Sequence, residues 1–158
     1  MKNILFVCTG NTCRSPMAQA LFNELVKKTG HDSEFRADSA GLYVSSTSDK
    51  PAINSIKTMQ EAFGIDISEY KPKNISKELL ETVDLVLCME QSMSSLLKSL
   101  NINDIEIDSL GNYCGVNQDV LDPYGGNEKT YLECANNIKG LIEKLMDKII
   151  KNEEENKW

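Results

Sequence analysis

Residues 8 to 15 read Cys-Thr-Gly-Asn-Thr-Cys-Arg-Ser, placing a thiol six residues ahead of a guanidinium with small and flexible residues between them. The thiolate is the nucleophilic form of cysteine, and a helix start or a neighbouring cation favours it. Cys8 has both available. The planar guanidinium of Arg14 can grip two oxygens of a tetrahedral anion at once. Gly10 permits a positive φ or a close backbone approach, and Asn11 is among the few other residues that tolerate the left-handed region. The amides of Thr9, Gly10, Asn11, Thr12, Cys13, Arg14 and Ser15 can therefore converge on one anion, at a helix start whose dipole favours negative charge. Taken singly, each residue has a plainer reading, a cysteine as a small buried hydrophobe or a Ser-Pro pair as a cap. Together, between an apolar run and a helix, they describe an oxyanion trap built around a nucleophile.

The flanking residues supply the elements that must position this loop. Asn3 to Val7 is a buried strand, and Ser15 followed by Pro16 reads as an N-cap with proline at the first helical position. Met17, Ala18, Leu21 and Leu25 continue that helix, which stops near Gly30. The pattern repeats with a second strand at Phe35 to Ser39 and a helix opened by Pro51, carrying Ile53, Ile56, Met59 and Phe63, and closed by Gly64. Further elements are expected at 75–83 (a short helix), 84–89 (strand), 92–100 (helix) and 105–110 (strand). Gly111 to Asn127 is a long loop rich in Gly, Asn and Asp, a kind that in a compact domain usually carries function. The final helix buries Leu132, Ala135, Ile138, Leu141, Ile142, Leu145, Met146 and Ile149, with Gly140 costing about 1 kcal/mol against alanine. Alternating strands and helices imply a single-domain, doubly wound, four-stranded parallel α/β sheet with helices on both faces. Ligands of such sheets lie at the carboxyl ends of the strands, where the Cys8 loop begins.

Composition narrows the function further. At 158 residues, 41% hydrophobic and 26% charged, the chain suits one domain with a real core. A net charge of −7 disfavours nucleic acid and anionic membrane as partners. No apolar run approaches the roughly 20 residues that cross a bilayer, and the first strand follows Met1 directly, so a cytoplasmic location is expected. Five cysteines in such a setting argue for free thiols. No cluster has metal-ligand spacing, and the chemistry requires no cofactor. The one histidine, His31, follows a Gly stop and takes no role.

The Cys-x5-Arg-Ser run from Cys8 to Ser15 resembles the nucleophile loop of the low-molecular-weight protein tyrosine phosphatases, which also lies near the N-terminus in that family. Ser39-Ala40-Gly41 resembles the family's turn after the second strand, and Asp122-Pro123 its general-acid loop. The resemblance covers nearly the whole chain. It implies strand order 2-1-3-4, a phosphatase domain over 1–150 with a charged, fraying tail over 151–158, a monomer, and phosphorylated proteins as substrates. It further implies that Cys8 attacks phosphorus, that Arg14 and the loop amides hold the oxygens, and that Asp122 protonates the leaving group and later activates water. Ser15 can donate to the departing thiolate. Many family members add a histidine buttress where this chain has Ser68-Glu69-Tyr70-Lys71, so Asn11, Ser15 and Ser39 would have to support the loop alone.

Two positions bear on the substrate. The tyrosine-directed relatives usually have an aliphatic residue where Thr12 stands, whereas bacterial protein-arginine phosphatases of the family carry threonine, whose hydroxyl can bond a guanidinium or position water. Tyr124-Gly125-Gly126 resembles the arginine-directed form, while tyrosine-directed relatives tend to place a second aromatic at Gly125. Protein phosphoarginine is therefore the expected substrate, with phosphotyrosine as the alternative. An arsenate reductase of this fold would need a local pair of further redox cysteines, where Cys88 stands alone, and a phosphocysteine carrier would have no use for Asp122. The resemblance also supports a reversible Cys8–Cys13 disulfide that shields the nucleophile from irreversible oxidation.

Overall fold

Four parallel strands form the sheet, and the computed structural model describes residues 1–102 and 104–158. Along the chain these are β1 (Lys2–Cys8), α1 (Arg14–Lys28), β2 (Phe35–Gly41), α2 (Ile53–Phe63), α3 (Lys77–Leu80), β3 (Leu85–Cys88), α4 (Gln91–Ser99), β4 (Glu106–Ser109), α5 (Leu110–Tyr113) and α6 (Glu128–Glu154). The sheet order is β2-β1-β3-β4, all parallel. Period-two alternation divides the central strands between two cores. Ile4, Phe6 and Cys8 join Leu85 and Leu87 in the larger core with α1, α2, α5 and α6. Leu5, Val7, Val86 and Cys88 face the smaller core with α3 and α4.

Several sequence expectations change here. Ser39-Ala40-Gly41 is no turn; it continues β2, pairing with Phe6, Val7 and Cys8 of β1. Gly41 could not carry a side chain there, because a Cβ would come within 2.8 Å of the Thr9 carbonyl oxygen. The helix after the loop starts at Arg14 with Cys13 at its cap position, and no side chain caps it. Ser15 is thus inside the first turn, where its hydroxyl is spent elsewhere, and Pro16 is tolerated because the first-turn N–H groups lack helical partners anyway. The long loop is shortened at its start by α5, which Ser109 caps through Asn112 N–H at 3.2 Å. Much of the tail is helical: α6 runs to Glu154, and Trp158 packs on Phe35 at 6.1 Å between ring centres with Lys2 Nζ 5.4 Å above it. No helix among the described residues is long and apolar enough to cross a membrane.

Two glycines give opposite expectations. A Cβ on Gly111 would sit 1.9 Å from the Gln118 carbonyl oxygen, a clash only backbone movement could relieve. Gly140 is exposed in the interior of α6 with nothing within 4 Å of a built Cβ. Urea unfolding should show Gly111→Ala destabilised by about 2 kcal/mol or more, and Gly140→Ala stabilised by about 1 kcal/mol.

Candidate active site

The loop between β1 and α1 hangs from its carbonyl groups. The carbonyls of Cys8, Thr9 and Thr12 accept from the amides of Leu42, Tyr43 and Ala52 at 2.9 to 3.0 Å. None of the amides from Thr9 to Cys13 donates to a backbone carbonyl among the described residues, which leaves a run of uncommitted donors beside the nucleophile. The left-handed turn falls on Asn11, at φ 56°, and Gly10 does not take a positive φ. Asparagine manages this because its short side chain can bond locally, and here it does. Asn11 Nδ2 donates to Ser15 Oγ at 2.8 Å and to Ser39 Oγ at 3.0 Å, and its Oδ1 accepts from Lys73 N at 3.0 Å. Ser15 Oγ lies 2.9 Å from Cys8 Sγ. Asn11, Ser15 and Ser39 are all buried behind the loop, so their side chains support it from below.

Arg14 is 2% exposed although it carries a full charge. Desolvating a guanidinium is costly unless it is paired and hydrogen-bonded, and three groups do this. Its Nη1 donates to Glu90 Oε2 at 2.6 Å and to the Val120 carbonyl at 2.8 Å, while Nη2 lies 3.7 Å from Asp122 Oδ2. One side chain thereby ties the nucleophile loop to the end of β3 and to the Asp122 loop. Asp122 Oδ1 accepts from Tyr124 N at 3.1 Å, an Asx-type turn that orients the carboxylate. Gly125 then takes φ 82°, and Gly126 is crowded by Thr130 and the Pro123 carbonyl. An aromatic at 125 would have to adopt that left-handed conformation, which side chains rarely take.

Cys8, Thr9, Gly10, Thr12, Cys13, Arg14, Asp122 and Tyr124 line one open cleft of about 440 Å3. Tyr43, Ser45 and Ser48 complete its wall, and sequence reasoning missed them. It also missed Glu90 and the Val120 carbonyl. Glu90 could have been found as a carboxylate directly following a strand's carboxyl end, where an anion-binding arginine would need a partner; the Val120 carbonyl has no sequence signal. Tyr43 and Tyr124 are 72% and 81% exposed, two aromatic faces at the mouth. The arrangement can hold a tetrahedral anion against Cys8, with a carboxylate across the cleft for proton transfer.

The remaining thiols are chemically quiet. Burial pushes Cys88 and Cys134 up to about 12, and Cys114 to about 11. Burial likewise raises Tyr131, helped by its hydrogen bond to Cys13, whose Sγ is 3.4 Å from the Tyr131 hydroxyl. A buried thiol raised in the fold favours the folded state below the ordinary thiol range and ceases to as pH climbs through the raised value. Iodoacetamide at pH 7.5 should therefore leave Cys88, Cys114 and Cys134 unlabelled by peptide mass mapping until the fold is opened. Thermal stability should fall as pH rises from about 9 toward 12.

The family model for "Low molecular weight phosphotyrosine protein phosphatase" matches residues 3–156. A low molecular weight phosphotyrosine protein phosphatase of Gallus gallus is 34% identical, with 91% of this chain and 96% of that protein covered. A protein-arginine-phosphatase of Bacillus subtilis (strain 168) is 33% identical over 95% of this chain and 98% of that one. Among solved structures, a low molecular weight protein tyrosine phosphatase from T. tengcongensis superposes with a TM-score of 0.87 at 37% identity, covering 94% of this chain and 99% of its own.

Proposed function

The chain belongs to the low molecular weight phosphotyrosine protein phosphatase family, and from that premise we propose that it hydrolyses protein phosphoarginine through a phosphocysteine intermediate. The observation that carries the chemistry is the meeting in one cleft of Cys8, backed by Ser15 at 2.9 Å, with buried Arg14 and with Asp122. The Cys8 thiolate forms a bond to phosphorus as the P–N bond breaks, and Asp122 delivers a proton to the departing guanidine nitrogen. Asp122 then takes a proton from water, whose oxygen attacks phosphorus. The S–P bond breaks, and inorganic phosphate and the thiolate are released. Arg14 and the uncommitted loop amides hold the equatorial oxygens in both steps.

Identity to the relatives does not choose between the two substrates, since 34% and 33% are equivalent. The cleft supplies the argument. A guanidinium presents several N–H donors and needs acceptors, which the Thr12 and Ser48 hydroxyls and the Asp122 carboxylate can provide. Tyr43 can lie flat against the guanidinium plane. A phosphotyrosine ring gains no comparable partner from Thr12, and the Gly125-Gly126 turn offers it no second ring. Oxidation of Cys8 by peroxide gives a sulfenic acid, which the Cys13 thiol displaces to form a disulfide and water. In the reduced protein both thiols are free.

Cys8→Ser should abolish phosphate release, and Asp122→Ala should lower kcat about 10²- to 10⁴-fold. Turnover retained by Cys8→Ser would refute the mechanism. On matched phosphoarginine and phosphotyrosine peptides, wild type should favour phosphoarginine in kcat/KM, and Thr12→Ile should reduce that preference about tenfold. An unchanged preference would remove Thr12 from the specificity argument. After brief peroxide treatment, dithiothreitol should restore activity to wild type and fail to do so for Cys13→Ser.

A further inference from the structure

Behind the nucleophile loop, side-chain hydrogen bonds run in a chain whose direction follows from counting protons. Lys73 N–H occupies Asn11 Oδ1 at 3.0 Å, so Asn11 Nδ2 must face the hydroxyls, and its two hydrogens go to Ser15 Oγ and Ser39 Oγ. Each serine hydroxyl then has one proton of its own to place. That of Ser39 goes to Gln19 Oε1 at 2.6 Å. That of Ser15 has two acceptors in reach, Cys8 Sγ at 2.9 Å and the Ala40 carbonyl at 3.5 Å; the sulfur is nearer, and as a thiolate it has no proton and can only accept. A donor aimed at a thiolate stabilises it.

We propose that Gln19 is a positioning residue for Cys8: by accepting the Ser39 proton, it holds Asn11 in the orientation that leaves Ser15 donating to the sulfur. Gln19 sits one turn into α1, half-buried, and is not among the residues that line the cleft. It reaches the nucleophile only through Ser39, Asn11 and Ser15. Gln19, Ser39 and Asn11 line a separate small cavity with Tyr70 and Lys73 on the opposite side of the loop. No member of the chain from Gln19 to Ser15 titrates near neutral pH, so the donation to Cys8 persists across that range. The charged groups around the nucleophile are two cations and three carboxylates. Arg14 faces it with Glu90 and Asp122, the Lys73–Asp38 pair flanks Ser39, and Cys13, Cys88 of β3 and Cys134 of α6 are the neighbouring thiols.

This inference rests on Cys8 being the nucleophile, and its deciding readout, the alkylation of Cys8, does not use phosphatase turnover. The rate of Cys8 alkylation by iodoacetamide is followed against pH in wild type, Gln19→Leu and Gln19→Glu, with the modified peptide identified by mass spectrometry. Leucine removes the acceptor. Glutamate can only accept, so it keeps the direction of the chain. The midpoint for Gln19→Leu should move up by about half a pH unit, with kcat lowered about threefold and KM within a factor of two. Gln19→Glu should stay within about 0.2 unit of wild type. Should Gln19→Leu fold poorly, Gln19→Met removes the same acceptor and is read in its place. An unmoved midpoint in the apolar variant overturns the proposal. So does an upward move in Gln19→Glu that equals the one in Gln19→Leu and persists at about 0.5 M salt, where the added charge is screened, because a retained acceptor then fails to hold the midpoint. If Cys8→Ser retains turnover, the phosphatase assignment of Cys8 falls while the alkylation profiles still decide the role of Gln19.

Discussion

A guanidinium that is 2% exposed is the constraint around which the cleft is arranged. Arg14 can remain buried and charged only because Glu90 lies at 2.6 Å and the Val120 carbonyl at 2.8 Å, and losing either would leave a desolvated cation with an unmet donor. Those two partners come from separate places, the residue after Met89 at the end of β3 and the loop before Asp122. The arginine therefore sets the distance between the nucleophile loop and the acid loop. The Val120 amide in turn donates to the Met89 carbonyl at 2.9 Å, so the acid loop is anchored to the sheet from two sides. The fold brings these segments to one edge, and the buried charge fastens them there.

The strands and most helices were legible because their signals are local. Leu85, Val86 and Leu87 are contiguous and apolar, and they form a strand buried on both faces. Gly64 closes α2 in the left-handed region as its position in the sequence suggested. The misread segments are those decided by tertiary neighbours. Ser39-Ala40-Gly41 looks like a turn in isolation, yet pairing with Phe6, Val7 and Cys8 holds it extended. The last residues read as a solvated tail because charge dominates Lys151 to Lys157, whereas Trp158 finds Phe35 and Lys2 at the amino ends of β2 and β1. A single aromatic outweighed the local polarity.

Within the cleft, residue types announced the nucleophile and its arginine, but their support was only partly legible. Asn11 was expected to provide backbone freedom, and it does so at φ 56°. It also acts as an amide donor to two serines, and the second use explains why glycine would be a poor substitute there. Ser15 was read as a helix cap because Ser-Pro commonly is one. Its hydroxyl lies beside the sulfur, and the helix begins at Arg14, two residues before the expected Pro16, without any side-chain cap. Gln19 left no mark in the sequence because it acts on a partner 20 residues away, and Glu90, 76 residues from Arg14, had only its place just after a strand to mark it.

The three carbonyls that suspend the nucleophile loop are bonded to Leu42, Tyr43 and Ala52, and these belong to the connection that forms the cleft's rim. The rim is consequently part of the loop's own framework. A lineage altering residues 42 to 52 to admit a different phosphorylated side chain would also disturb the angles of the amides that meet the phosphate. Substrate choice and catalytic power are thus coupled in this architecture through the three hydrogen bonds that join rim and loop.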